Sequence, residues 1–218
     1  DVSLAGVGII VGTPFDDVIR GGDNASGFEV MWGGKGNDCM NGLKGHELIM
    51  GGPGNDEIHG GDQHELLLGG SGDDLIFAGE GASYSFTIFG VDVELDLGSV
   101  VFGGRGNDVI SGSDPDYDDT DLTEFGYTDI IFGDGLTDAT AGNDTIDGGA
   151  GIDFLFGQWG DDTMVNLRPG SIDIDSVPLP IGSFHFGGQG DDTLTGSPRF
   201  DLMIGSKHDD TINGMGGL

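Results

Sequence analysis

A nine-residue period is the feature that most limits how this chain can fold. It runs unbroken from Gly33 to Phe77 and returns at intervals as far as Asn213. Such a period predicts an array of similar units, each of which buries its apolar residues against its neighbours. The unbroken copies read GGKGNDCMN, GLKGHELIM, GGPGNDEIH, GGDQHELLL and GGSGDDLIF.

The register of the repeat follows from taking Gly12 as position 1. Seventeen repeats then span residues 12–213. Position 8 is apolar in sixteen of the seventeen, with His185 as the exception, so this position is predicted to point into the core. The insertions that this register requires fall in turns, near 23–27, 78–99, 112–129, 133–144 and 166–183.

The repeat resembles the RTX, or hemolysin-type calcium-binding, nonapeptide GGxGxDxUx, and the tandem copies cover most of the chain. In that family six residues form a calcium-binding turn and three form a short strand, with two nonapeptides in each coil of a right-handed parallel β-roll. The residue types agree with this, because Gly permits a tight turn, Asp offers hard oxygen ligands and position 8 fills the core. We therefore expect an all-β chain, with a single RTX β-roll domain of about nine coils over residues 1–218.

Composition excludes several classes of function. The chain has 218 residues and a net charge of −32, with 39 acidic residues against seven Lys and Arg, which makes nucleic acid an implausible partner. No run approaches the roughly 20 apolar residues of a membrane span. The single Cys39 excludes a disulfide framework.

Two repeats in each coil place alternate turns on the same edge of the roll. On one edge, called edge A, position 6 is Asp at all nine rungs. The resemblance implies that each ion lies between adjacent turns and takes both position-6 carboxylates together with backbone carbonyls, so nine rungs hold at most eight Ca²⁺ ions. We expect little stable fold without calcium. The predicted ligands are Asp17, Asp38, Asp56, Asp74, Asp108, Asp144, Asp162, Asp192 and Asp210.

The opposite edge, called edge B, is irregular. Its position-6 residues are Glu29, Glu47, Glu65, Ser99, Asp129, Asp153, Ser183 and Asp201, and four of the five insertions fall there. Asp129, Asp153 and Asp201 are the weaker calcium candidates, whereas the Glu and Ser rungs depart from the motif. Glu47→Ala is therefore expected to lower the calcium stoichiometry much less than Asp56→Ala.

A transition-metal site is an alternative use of edge B. His46-Glu47 and His64-Glu65 lie one coil apart, with His59 at the entrance to the second turn. These five side chains could converge on an ion such as zinc. The competing interpretation is that the His residues face outward from turns that bind calcium poorly.

The outward positions 7 and 9 differ between the two sheets. They are apolar at all sixteen positions of the strands that follow edge B turns, which form the apolar sheet, and mostly polar after edge A turns, in the polar sheet. Such an apolar face exceeds what a monomer normally exposes. Either the edge B insertions fold over it or another protein does. Trp32, Met50, Leu66 and Leu68 have only a three-residue insertion nearby and form the predicted assembly face.

These patterns predict a binding and structural module and not an enzyme. One hypothesis is a secreted structural or self-assembling protein, such as a segment of a surface layer, filament or adhesin. The alternative is the calcium-dependent folding module of a larger type I-secreted enzyme or toxin. The apolar sheet, the long insertions and the open ends of the array favour the first, and the breadth of the RTX family favours the second. Both give calcium, copies of the chain or neighbouring domains as partners, and a location outside the cell.

Overall fold

The computed structural model describes residues 2–3, 8–88, 91–113, 127–135, 142–166, 168–169, 172–174, 177–179 and 181–215. Within these ranges only the backbone is described for 2–3, 24–26, 83–88, 91–96, 168–169, 172–174, 177–179 and 181. The described residues contain no helix, and so none that could cross a bilayer.

The described residues form 23 strands. They are β1 (Val2–Ser3), β2 (Gly8–Val11), β3 (Val18–Arg20), β4 (Asp23–Trp32), β5 (Cys39–Pro53), β6 (Glu57–Asp62), β7 (Glu65–Ser71), β8 (Leu75–Glu80), β9 (Ala82–Ile88), β10 (Val91–Arg105), β11 (Val109–Ser113), β12 (Thr128–Asp134), β13 (Thr145–Asp147), β14 (Ala150–Gly151), β15 (Phe154–Trp159), β16 (Thr163–Val165), β17 (Arg168–Pro169), β18 (Ile172–Ile174), β19 (Val177–Leu179), β20 (Ile181–Gln189), β21 (Thr193–Thr195), β22 (Phe200–Lys207) and β23 (Thr211–Asn213).

Two stacks of parallel strands give the chain the predicted β-roll architecture of about nine coils. β5 belongs to both stacks because it runs through an edge B turn. Equal repeat positions pair at each step, as in Ile49 with Leu67 and Met40 with Ile58, which confirms the repeat register. The polar sheet contains β1, β3, β5, β6, β8, β11, β13, β16, β21 and β23. The apolar sheet contains β2, β4, β5, β7, β10, β12, β15, β20 and β22.

The core lies between the two stacks and consists of the position-8 side chains. From Ile19 to Leu194 these side chains are at most 2% exposed, as the sequence predicts. Ile212, on β23, is 50% exposed. His185 is fully buried in this column and neither ring nitrogen has a hydrogen-bond partner. Burial lowers the pKa of His185 to about 4, so the neutral ring packs as a core residue at neutral pH.

The insertions take different forms. The one near 23–27 is a register shift inside β4, between Asp23 and Phe28, and not part of a turn. The one near 78–99 contains the antiparallel β9–β10 hairpin, and the one near 166–183 contains the β18–β19 hairpin. Most of the remaining two insertions, at 114–126 and 136–141, lies outside the described residues.

The outward side chains of the apolar sheet form long stacked columns. Phe102, Phe132, Phe156 and Phe186 stack in order with ring centroids 4.7–5.0 Å apart. Parts of this face remain open to solvent. The residues exposed by 38–47% are Trp32, Leu66, Ile130, Leu202 and Ile204.

Candidate functional site

Each edge A turn is shaped by its glycines. In the turn of residues 33–38, Gly34 and Gly36 have φ angles of 117° and 109°, in the left-handed region that favours glycine. Gly33 is required for a different reason, since a Cβ there would overlap Asp38 Oδ2 and would lie 2.8 Å from the carbonyl oxygen of Gly51. The motif therefore brings a carboxylate oxygen and the carbonyl oxygen of the next rung to the same small cradle.

The position-6 aspartates of edge A form one continuous hydrogen-bonded ladder. The Asp17 amide donates to Asp38 Oδ1 at 2.9 Å, and the same bond recurs at all eight steps down to Asp210, with distances of 2.8–3.1 Å. From Asp38 onward, each Oδ1 thereby accepts the backbone amide of the preceding rung. This fixes the carboxylates one above another along the roll.

The second oxygen of these carboxylates is left without a partner. Seven of the nine aspartates are 1–2% exposed, and their Oδ2 atoms are buried without a hydrogen-bond donor. A buried charge without a partner is very costly, so a cation is the expected occupant of the gaps. The seven are Asp38, Asp56, Asp74, Asp108, Asp144, Asp162 and Asp192.

The same burial raises the pKa values of these carboxyl groups. Burial, the largest cause, raises the pKa of Asp56 to about 6, of Asp108 and Asp162 to about 7, and of Asp74 and Asp144 to about 8. Neighbouring carboxylates raise these pKa values further, and the backbone hydrogen bonds oppose the rise. At neutral pH the metal-free carboxyl groups of Asp74 and Asp144 therefore favour the protonated form, and a cation must displace those protons.

The first rung differs from the others. Thr13 stands at position 2, and its amide and hydroxyl both donate to Asp17 Oδ2, at 2.5 and 2.8 Å. Asp17 thus keeps its place in the ladder through its amide, while its Oδ2 accepts two hydrogen bonds from Thr13. Asp210, in the last turn, accepts from the Asp192 amide and is partly exposed.

A second ladder runs along edge A at position 5. Here the side-chain oxygen of one rung accepts the amide of the next, as from Asn55 to Asn37 Oδ1 at 2.9 Å. The direction is opposite to that of the position-6 ladder. This explains why each position-6 Asp is preceded by Asn or Asp, a pattern visible in the sequence. The ladder contains Asp16, Asn37, Asn55, Asp73, Asn107, Asn143, Asp161, Asp191 and Asp209.

On edge B the aspartates are held by protein donors. The amide and hydroxyl of Ser113 donate to Asp129, at 2.7 and 2.9 Å. Asn166 Nδ2 donates to Asp153, and the amide of Ser197 donates to Asp201 at 2.8 Å. The buried oxygens of Asp129 and Asp153 all have partners. The carboxylates of the three weaker calcium candidates are therefore already held by protein donors. We call such a rung closed, and a rung whose carboxylate keeps a buried oxygen without a donor open.

Sequence reasoning did not identify these donors. Each occupies position 1 or 2 of its turn, where the motif has glycine: Thr13, Ser113, Asn166 and Ser197. Replacement of glycine by a hydroxyl or amide residue was the signal available in the sequence.

The glutamates of edge B are buried instead of solvated. Glu29, Glu47 and Glu65 pair rung by rung and are 2–4% exposed. Burial, followed by repulsion from the neighbouring glutamate, raises the pKa of Glu47 to about 7. Burial also raises the pKa of Glu65 to about 8, although the hydrogen bond from the Ser99 hydroxyl lowers it.

The five residues of the alternative zinc site are not brought together. His46 and His64 stack with ring centroids 5.5 Å apart, but His59 bonds Glu57 at 2.9 Å and stacks on Phe77. No group of three or more His, Cys, Asp or Glu side chains in the described part of the chain is arranged to hold a metal ion. The edge A gaps need no third carboxylate, because backbone carbonyls can complete the shell of a calcium ion.

Comparison with known proteins gives the family. The model for the RTX calcium-binding nonapeptide repeat matches residues 4–25, 26–46, 41–76, 59–82, 99–114, 138–166 and 186–217, which is well over half of the chain. No curated protein and no solved structure matches it. The repeats of this family bind calcium, which agrees with a stack of buried oxygen atoms in Gly-rich turns. The chain belongs to the RTX calcium-binding nonapeptide-repeat family.

Proposed function

We propose that this chain is a calcium-folded module that acts outside the cell as a structural, self-assembling element. The observation that carries the calcium part is the column of seven buried Oδ2 atoms on edge A, each without a hydrogen-bond donor. Each gap from Asp38 to Asp192 offers two such oxygens, one from each rung. Carbonyl oxygens of the Gly-rich turns lie beside them, and Ca²⁺ prefers such oxygen donors.

Calcium also bears on self-association through charge. A chain with net charge −32 repels its own copies. One divalent ion in each of the six gaps from Asp38 to Asp192 would supply twelve positive charges and change the net charge from −32 to −20. Ion uptake would therefore both fold the roll and reduce the repulsion between folded copies.

The apolar sheet is the surface proposed for assembly. Within the predicted assembly face, Trp32 is 47% and Leu66 39% exposed, and Met50 and Leu68 are half-buried. The face continues along the roll as stacked Phe columns. Contact with a second copy would remove this apolar surface from water.

Sedimentation and circular dichroism during a calcium titration test the proposal. The wild type should fold with calcium and grow into larger species. Leu66→Lys should fold but remain small, because it places a charge in the apolar sheet. Val109→Lys is the matched control, since Val109 is 47% exposed on the polar sheet, and it should still grow.

The alternative function, a folding module of a larger secreted enzyme or toxin, predicts a different result. The wild type would then fold with calcium into a compact monomer at all concentrations. That result would overturn self-assembly and leave calcium-dependent folding intact. Failure to fold with calcium would overturn both functions.

A further inference from the structure

The glutamate column of edge B, like edge A, contains buried carboxylate oxygens that have no hydrogen-bond donor. Glu29, Glu47 and Glu65 are stacked carboxylates that are 96–98% buried. Four of their oxygens are buried without a hydrogen-bond partner. These are Glu29 Oε1, Glu47 Oε1, Glu47 Oε2 and Glu65 Oε1.

The two remaining oxygens, at the two ends of the column, accept hydrogen bonds from the protein. Glu29 Oε2 accepts the Gly22 amide at 2.8 Å, and Glu65 Oε2 accepts the Ser99 hydroxyl at 2.7 Å. The middle residue, Glu47, has neither oxygen occupied. The column therefore has two gaps, with enough open oxygens for two carboxylate ligands in each gap.

Backbone oxygens lie beside these carboxylates. A Cβ built on Gly42 would lie 3.2 Å from Glu47 Oε2 and would overlap the carbonyl oxygen of Gly60. A Cβ on Gly21 would lie 2.6 Å from Glu29 Oε2 and would overlap the carbonyl oxygen of Gly42. This is the cradle of edge A with a side chain that is one methylene longer.

We propose that the Glu29–Glu47–Glu65 column binds two divalent cations of the hard, oxygen-preferring class to which Ca²⁺ belongs. One ion lies between Glu29 and Glu47 and the other between Glu47 and Glu65. Carboxylates shared by two rungs and neighbouring carbonyls suit such an ion. This reverses the ranking that the motif suggests for edge B, because its glutamate rungs are open and its aspartate rungs are closed.

The competing occupants are protons, which could neutralise the buried carboxylates without any metal. Glu47→Gln distinguishes protonation from cation binding. The amide has the size of the protonated acid but cannot supply the negative charge that an ion needs. Bound calcium per chain is measured at pH 7.5 by equilibrium dialysis and elemental analysis, with folding followed by circular dichroism. Glu47→Gln should bind two ions fewer than the wild type. An unchanged ion count in the folded variant would overturn the proposal.

Three further variants complete the test. Glu29→Gln, at the end of the column, should remove one ion, and it decides the question if Glu47→Gln does not fold; a wild-type count in Glu29→Gln would then overturn the proposal. Asp62→Asn removes one partly exposed charge nearby and should keep the wild-type count. Asp56→Asn should lower the count through edge A alone. A loss in Glu47→Gln without a loss in Asp56→Asn would support this column while contradicting the proposed edge A sites.

Discussion

Edge A and the aspartate rungs of edge B place the same residue at the same repeat position, yet leave its carboxylate in opposite states. Asp108 keeps a buried Oδ2 without a donor, whereas both oxygens of Asp129 accept hydrogen bonds, including two from Ser113. The difference lies in whether a side chain at the start of this turn, or of the next turn on the same edge, donates to the carboxylate, as Ser113 does here and Asn166 does at Asp153. Position 6 alone therefore does not define a site in this roll.

The largest expected effect is that of removing calcium. With excess chelator at pH 7.5, the buried carboxylates of edge A would face one another without a counter-ion, and the roll should lose most of its β structure cooperatively. Circular dichroism during a calcium titration measures this. Mg²⁺ should restore the signal far less well, because it requires a stricter octahedral shell. A chelated chain with an unchanged spectrum would contradict the dependence of folding on calcium.

A methyl group in one cradle should have the next largest effect. In Gly51→Ala the new Cβ would overlap Asp56 Oδ2 and lie 2.6 Å from the carbonyl oxygen of Gly69. We expect fewer bound ions and a loss of roughly 1–3 kcal/mol in the free energy of unfolding with calcium present. Calcium dialysis and denaturant unfolding measure the two quantities.

Gly135→Ala is the matched control for this change. The nearest atom to a Cβ at Gly135 is the Cα of Gly104, at 4.0 Å. The ion count and the free energy of unfolding should remain at wild-type values. Equal losses in both variants would show that crowding of the backbone, and not of the cradle, is responsible.

The pH dependence should have opposite signs with and without calcium. Burial raises the pKa of Asp74 and Asp144 from 3.8 to about 8, so the metal-free roll binds protons on folding. The stability that these protons contribute is fully present below the ordinary pKa near 3.8 and is lost as the pH rises through about 8. In chelator, β structure should therefore increase as the pH falls from 8 to 5.

Calcium affinity should follow the reverse trend, because each ion must displace protons. Over the same range it should fall by about tenfold per pH unit for each proton displaced. Titrations at pH 8 and pH 6, with proton release followed by an indicator dye, measure this. An affinity that does not change with pH would show that the carboxylates of edge A are ionised before calcium arrives.

Much of the fold could be predicted from the sequence because the repeat is periodic. The period fixes the register, and the register places Met40, Ile58 and Ile110 in the core before any coordinates are known. Insertions do not follow the period. For this reason the sequence predicts an insertion in a turn near 23–27, whereas the structure has a register shift inside β4 between Asp23 and Phe28.

The state of each carboxylate was harder to predict, because it depends on contacts between rungs. Asn166 lies 13 residues from Asp153 in sequence and follows an intervening coil, and nothing in the nonapeptide alone indicates that its amide reaches that carboxylate. The burial of Glu47 likewise results from the stacking of Glu29 and Glu65 around it. A motif describes one turn, whereas these sites belong to pairs of turns.

Ser113→Ala is the sharpest test of the comparison between the edges and should have the smallest effect on the calcium count. The change removes the hydroxyl that donates to Asp129 Oδ1 at 2.9 Å but leaves the bonds from the Ser113 and Ser99 amides. A hydrogen bond to a charged group contributes about 1.5–3 kcal/mol, so chemical denaturation should show a loss in this range with an unchanged calcium count. Thr193→Ala removes an exposed hydroxyl from the polar sheet and should cost only a few tenths of a kcal/mol. A gain of one calcium ion in Ser113→Ala would mean that the hydroxyl alone keeps this rung closed, and a loss of one ion would mean that the rung was never closed.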